Sequence, residues 1–266
     1  MNISTFPTIF VSHGGGPWPF VEGMKDQYEK TTAEFKSIPQ HLPEKPLAIL
    51  VISGHWISPT FTVSTAIHPP MEYDFTGFPE HTYHIKYPAP GSPTLAARVR
   101  KLLYDSGIQS NDDSTRGFDH GTFVPLSLMF PKADVPVVML SLKLGFDPAE
   151  HLHAGRALFL LRQEGVLIIG SGLTYHNMRG FGRRESASVA DMFESYLNRA
   201  ITQVDPNQRN EMLLNWEKGP GSRLAHPQED HLVPLMVVAG AAGKDIGHRL
   251  FLDHVMGVSM ASYQFG

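Results

Sequence analysis

Five stretches of the chain are almost wholly apolar and rich in β-branched residues: 8–12 (TIFVS), 47–53 (LAILVIS), 135–142 (VPVVMLSL), 165–171 (GVLIIGS) and 258–265 (VSMASYQF). Most run on without alternation, which suits strands covered on both faces. Helical patterns with readable ends lie between them. In "GSPTLAARVRKLLYDSG", Ser92 is placed as N-cap, Pro93 at the first helical position and Gly107 as terminator, with Leu95, Val99, Leu102 and Leu103 on one face. "DPAEHLHAGRALFLLRQEG" repeats the scheme with Asp147, Pro148, Glu150 and Gly165, close to a capping box. Strands alternating with helices predict an α/β fold whose central mixed, mostly parallel sheet is flanked by helices. The chain shows no internal repeat, no low-complexity tract and no shift of composition, so we expect one domain over 1–266. The Pro-rich segment from His68 to Pro93 is too long for a plain connector and is expected to shape a site.

Composition narrows the chemistry. Hydrophobic residues make up 42% and charged residues 18% of the 266 positions, an ordinary soluble balance. No apolar run reaches the roughly 18 residues of a membrane span. The start lacks a basic segment followed by an apolar core, so the mature chain is expected to begin near Met1 and to work in the cytoplasm. A formal charge of -4, without basic runs, argues against a nucleic-acid surface. There are no cysteines, which removes disulfides, thiolate metal sites and cysteine nucleophiles together. Any metal must be held by nitrogen and oxygen.

The 14 histidines then matter by position. In open α/β sheets ligands gather beyond the carboxyl ends of the strands. His13 follows TIFVS, His55 follows AILVISG and His176 follows VLIIGSGLTY. His120 lies where a loop feeds a short helical pattern, and His231 at the start of an apolar helix. One histidine after a strand is commonly a hydrogen-bonding loop residue. Three such placements point to convergence on one pocket. The other nine read as ordinary: His151 and His153 as surface, His248 and His254 without a motif, His41 and His68 in Pro-containing loops, and His226 as a neighbour of His231. His81 and His84, in the Pro-rich segment, are weaker pocket candidates. Neutral imidazoles suit iron, zinc, copper or nickel, and three protein ligands with open positions suit either ferrous oxygen chemistry or catalytic zinc. The glycines of SHGGGP have neither phosphate-loop spacing, and Pro17 follows them directly. "IIGSGL" has Ile169 where a serine-hydrolase elbow needs glycine, so Ser171 reads as a small residue in a tight strand exit.

Five stretches in order, "SHGGGP", "SGHW", "GFDHG", "SGLTYHN" and "EDHLVPL", resemble the class III extradiol ring-cleavage dioxygenases, most closely their DOPA-dioxygenase-like branch. "DFTGFPE" and "YPAPGSP" add to the likeness, which spans nearly the whole chain. The resemblance implies that His13, His55 and His231 hold Fe(II), and that His176 is the general base and acid, lying at the metal in some metal-loaded members. It implies that His120 contacts substrate and oxygen. The wider superfamily uses two histidines and a glutamate, whereas here the third position matches His231, with Glu229 and Asp230 beside it. The implied reaction opens a catechol ring beside its two hydroxyls with both atoms of O₂. Zinc is expected to compete for the site. Two other functions stand against this one, a zinc-dependent hydrolase and a non-enzymatic interaction protein on the same fold. The expected partners are a small catechol and O₂, with no nucleic acid or membrane, and the chain a monomer or small homo-oligomer. Trp18, Phe20, Trp56, Phe78, Tyr83 and Phe123 are candidates to hold the ring, and an arginine, His81 or His84 to meet a substrate carboxylate.

Overall fold

A computed structural model describes residues 5–266. Its eight strands are β1 (Thr8–Ser12), β2 (Ala48–Ser58), β3 (Phe61–Ser64), β4 (Ser110–Asp113), β5 (Val137–Lys143), β6 (Val166–Gly172), β7 (Gly247–Val255) and β8 (Val258–Phe265). They form one mixed sheet in the order β4-β3-β5-β2-β6-β1-β8-β7. The central run β5-β2-β6-β1 is parallel throughout, and β8 and β7 close one side antiparallel. The helices are α1 (Glu29–Ser37), α2 (Pro93–Asp105), α3 (His120–Met129), α4 (Pro148–Leu158), α5 (Arg184–Ile201), α6 (Pro206–Leu214), α7 (Ser222–Ala225) and α8 (Pro234–Ala241). This is the single α/β domain expected. Among the described residues no helix is long and apolar enough to cross a membrane.

The unbroken apolar runs have a direct cause. β2 sends Ile49 and Val51 into one half of the core and Leu50 and Ile52 into the other. β6 divides Leu167 and Ile169 from Val166 and Ile168 in the same way. Helices α1, α3 and α5 pack in the first half and α2 in the second, while α4 and α8 contribute side chains to both. Each large aliphatic side chain so buried contributes about 1.5–3 kcal/mol.

Both sequence-predicted caps form: Ser92 Oγ accepts from the Leu95 N–H, and Asp147 accepts from the Ala149 N–H. α8 is buried along its whole length, so its last carbonyls need partners other than water. Two buried arginines supply them. Arg162 donates to Ala241 O and Ala242 O, and Arg209 to Ala239 O and Gly243 O.

Two expectations are corrected. β2 does not end before His55 but runs on to Ser58. Between Ile52 and Ile57 it bulges, while the facing strand β5 advances only from Leu140 to Leu142. A bulge re-aims side chains, and His55 is carried on it. His151 is not a surface residue either; it is fully buried, whereas His153 is exposed as expected. Two residues apart on a helix, the pair cannot share a face. Nδ1 of His151 donates to Asp147 O (2.7 Å) and Nε2 accepts from the Lys143 N–H (3.1 Å), tying the end of β5 to α4.

Burial brings the His151 pKa down to about 4. The folded state thus holds the neutral ring, at no cost above the unfolded value near 6.5. Between pH 6.5 and 4 the unfolded chain takes up a proton that the folded chain refuses. Stability therefore falls by up to about 3 kcal/mol on acidification. His151→Gln should flatten that segment of the pH–stability curve, read by denaturant unfolding at pH 7, 5.5 and 4. An unchanged slope would show that the ring does not control it.

Candidate metal centre

The strand ends and loops bring five imidazoles together. His13 is anchored at three points just beyond β1. Its N–H donates to Gly172 O (3.0 Å), its carbonyl accepts from Trp18 Nε1 (2.8 Å), and its Nδ1 donates to Gly14 O (2.8 Å). Gly14 has φ +84°, and a Cβ there would lie 2.5 Å from Trp18 Nε1, so only glycine lets the loop turn this tightly. His120 is the first residue of α3, whose N-cap Asp119 is fully buried and accepts from Thr122 N–H, Ser53 Oγ and Arg116. Ser53 Oγ in turn accepts from the His55 N–H, which fixes the β2 bulge to α3. His231 precedes α8, and its carbonyl accepts from the Leu173 N–H. A Cβ on Gly172 would stand 2.0 Å from that carbonyl, which explains the glycine at the end of β6. His176 follows β6, with its N–H donating to Ala225 O.

Ring centroids lie 5.0 Å apart for His13 and His55, 4.0 Å for His55 and His120, and 4.6 Å for His55 and His231. His176 stacks on His231 at 3.4 Å. Nitrogens of His13, His55 and His120 fall within 4.8 Å of one another; His176, Asp230 and His231 form a second such group. The two groups meet where His231 Nε2 and His55 Nε2 approach to 3.1 Å.

On every ring Nδ1 faces an oxygen. His120 Nδ1 donates to Asp74 Oδ1 (2.9 Å), and His55 Nδ1 lies 3.2 Å from Asp74 Oδ2. His231 Nδ1 and His176 Nδ1 lie 3.1 and 3.5 Å from the two oxygens of Asp230, within ion-pair range but off a hydrogen-bond line. Glu229 turns away to Arg223 (2.6 Å).

Charge follows this plan. Burial, then the neighbouring histidines, holds the His13 pKa well below its ordinary value. Burial does the same to His231, and brings His55 to about 4. Burial pushes the Asp74 carboxyl up, but the His120 hydrogen bond and the charges of His120 and His55 outweigh it and hold it at about 2. Asp230 is likewise held well below the usual carboxylate range by His176 and His231, against its burial. Near neutral pH His13, His55 and His231 are therefore uncharged, with the carboxylates of Asp74 and Asp230 outside them.

Such a set fits a divalent transition metal. His13 Nε2 is buried and has no hydrogen-bond partner, a costly condition unless something else takes its lone pair. Two nitrogens about 2.1 Å from a common ion lie about 3.0–3.4 Å apart for angles from square to tetrahedral. The 3.1 Å between His55 and His231 falls within that span.

A cavity of about 450 Å³ opens onto the rings, lined by all five histidines, the loop Gly14–Gly16, and Met24, Tyr28, Phe75, Phe78, Leu173, Met178, Phe181, Met256 and Met260. Of the aromatic candidates only Phe78 lines it. Trp18 stacks under Tyr28 at 4.3 Å, and Phe20, Trp56, Tyr83 and Phe123 are spent elsewhere on packing. His81 donates to Phe20 O and His84 pairs with Glu80, both exposed and away from the cavity. Asp74 and Asp230 lie behind four of the rings, a role that no motif in the sequence assigns to them. A carboxylate inside the otherwise apolar and Pro-rich "EYDFTGFPE" was the available signal for the first. His226 is buried against Phe193 and Trp216, and burial brings its pKa to about 3. Ser171 is buried and donates to Gly121 O, in keeping with a structural role.

The α/β sheet thus carries, at the ends of its parallel strands, a group of histidines and aspartates able to bind a metal ion. Residues 7–265 match the catalytic LigB subunit of aromatic ring-opening dioxygenase, and the chain belongs to that family. It is similar to a 4,5-DOPA dioxygenase extradiol of Beta vulgaris, 40% identical over 97% of this chain and 96% of the relative. Another protein of that name, from Escherichia coli (strain K12), is 34% identical over 91% of this chain and 87% of its own. A crystal structure of an uncharacterized protein of Escherichia coli K12 superposes with a TM-score of 0.79 at 31% identity, covering 98% of this chain and 100% of that one. The chain is a ring-cleavage dioxygenase by family.

Proposed function

We propose that the protein is a cytoplasmic, Fe(II)-dependent extradiol dioxygenase that opens a catechol ring beside its two hydroxyls and adds both atoms of O₂. One observation carries the reading: all five rings set Nδ1 within 3.5 Å of an oxygen, which leaves Nε2 as the nitrogen for the centre. A carboxylate behind a ligating imidazole sets its tautomer and raises its basicity. His13, His55 and His231 would hold the iron, His176 would join them with some ions, and His120 would contact the substrate. Ferrous iron supplies the one-electron chemistry that lets a catechol and O₂ react.

The chain's own residues do the rest. The apolar cavity wall would hold the ring against the histidines, so that reaction is not left to chance encounter. His176 takes a catechol proton at Nε2 while Asp230, beside Nδ1, stabilises the imidazolium that results. His120, its Nδ1–H donated to Asp74, presents Nε2 as an acceptor for a substrate hydroxyl, and His176 returns its proton as the ring opens. Oxygen uptake with catechols by the Fe(II)-loaded protein, together with a yellow product, tests the reading. Absence of both across a catechol panel would overturn it.

Asp74 orients two rings at once, so Asp74→Asn should weaken metal binding by about 10–100-fold while the fold persists. Metal content after dialysis against a graded chelator series reads this directly. Retention equal to that of the wild type would remove Asp74 from the centre's support.

A further inference from the structure

The cavity has one polar end and no charged wall. Beyond the histidines, its surface is made by Met24, Phe78, Met178, Phe181, Met256 and Met260, with Tyr28 and Leu173. Among the described residues, no lysine, arginine, aspartate or glutamate lines it. Arg116, behind His55, is already held by Glu72 and Asp119. Arg183 pairs with Glu185, and the exposed Arg179 stands outside the wall. The N–H of Gly15, in the middle of the glycine loop, is committed to the Tyr28 hydroxyl.

The mouth is built on purpose from apolar side chains. Met178 is 69% exposed and Met256 48% exposed, although both border the cavity. Met256 also has φ +50° and is followed by Gly257 at φ +81°, the tip of the β7–β8 hairpin. Asparagine or glycine is the usual occupant of the first position of such a turn, and a long side chain there is strained. The Met256 carbonyl accepts from the Gly182 N–H (2.9 Å), which pins the tip over the loop after His176. Strain and exposure at a thioether on the rim point to a ligand that covers it.

We propose that the substrate is a catechol whose ring substituent is uncharged and apolar, seated among these methionines with its hydroxyls at the histidines. The inference rests on the ring-cleavage reading above. A carboxylate or zwitterionic side chain would enter this cavity without a counter-ion, and an unpaired charge out of water is strongly disfavoured. Alkyl and aryl groups gain with every carbon they bury. Methionine side chains, unbranched and polarizable, adapt to several such shapes.

The test compares 4-methyl-, 4-ethyl- and 4-propylcatechol with 3-(3,4-dihydroxyphenyl)propionate and 3,4-dihydroxyphenylalanine. Binding is measured by anaerobic calorimetry on the metal-loaded protein, and kcat/KM by oxygen uptake. Each added methylene should improve Kd and kcat/KM about fourfold. The propionate and the amino acid should be at least tenfold worse than propylcatechol. Met178→Arg, which sets a cation at the rim, should move the propionate-to-propyl ratio at least tenfold towards the propionate. Equal or better binding of the carboxylates by the natural protein would overturn the proposal, as would failure of every catechol to bind. Alkyl-selective binding without turnover would instead sustain the apolar preference and sink the ring-cleavage reading.

Discussion

His55→Ala should yield a folded protein with no retained metal and no measurable ring cleavage. His55 is the hub of the centre. Its ring is within 5.0 Å of His13, 4.0 Å of His120 and 4.6 Å of His231, measured between centroids, and its Nε2 is 3.1 Å from that of His231. Alanine on the bulge leaves the strand pairing intact, because the bulge is tied to α3 through Ser53 and the backbone. His176→Ala should behave differently. It should keep metal yet lose about 10²–10⁴-fold in turnover, the usual worth of a positioned proton acceptor. Elemental analysis of both variants beside their oxygen-uptake rates separates the two roles. If His176→Ala lost metal as completely as His55→Ala, His176 would be a ligand first and a base second.

Much of this arrangement can be read along the chain, and what cannot has physical reasons. The parallel strands are legible because each is buried on both faces and shows as a continuous apolar run. β3, β4 and β7 are not. β4 reads SNDD at the sheet's edge, and β7 leaves His248, Arg249 and His254 in solvent, so neither presents an apolar run. The histidines just beyond β1 and β6 and on the β2 bulge are conspicuous because a core has no use for them. Asp74 is not, since its partners are remote in sequence and only the folded Pro-rich segment brings it beneath His55 and His120. Aromatic residues near the motifs were poor guides to the cavity. Trp18, beside the glycine loop, is spent on holding the His13 carbonyl. The methionine wall escapes sequence reading for a simpler reason: Met24 and Met178 are remote in sequence from each other and from Met256 and Met260 of the β7–β8 hairpin.

Zinc-loaded protein should bind catechols and leave their rings intact, and exchange of zinc for Fe(II) should restore cleavage. The candidate ligand ring is made of neutral imidazoles, with the carboxylates of Asp74 and Asp230 set behind them at Nδ1. Because burial keeps His13, His55 and His231 unprotonated near neutral pH, an incoming ion has no protons to displace from them. Such a donor set discriminates weakly among divalent metals, and zinc outranks ferrous iron in intrinsic affinity for nitrogen ligands. His176, whose ring packs on His231 at 3.4 Å, would be drawn in as a further nitrogen ligand of zinc. Occupied in that way, it is no longer free to accept a substrate proton. Zinc also has no redox chemistry, so both the proton and the electron routes close together. The measurement is oxygen consumed per equivalent of bound metal, for the zinc form, the stripped form and the Fe(II)-restored form. Full ring cleavage by an iron-free zinc form would sink the proposed chemistry. Hydrolysis of esters or amides by the zinc form, with an inert Fe(II) form, would assign the same histidines to a hydrolase.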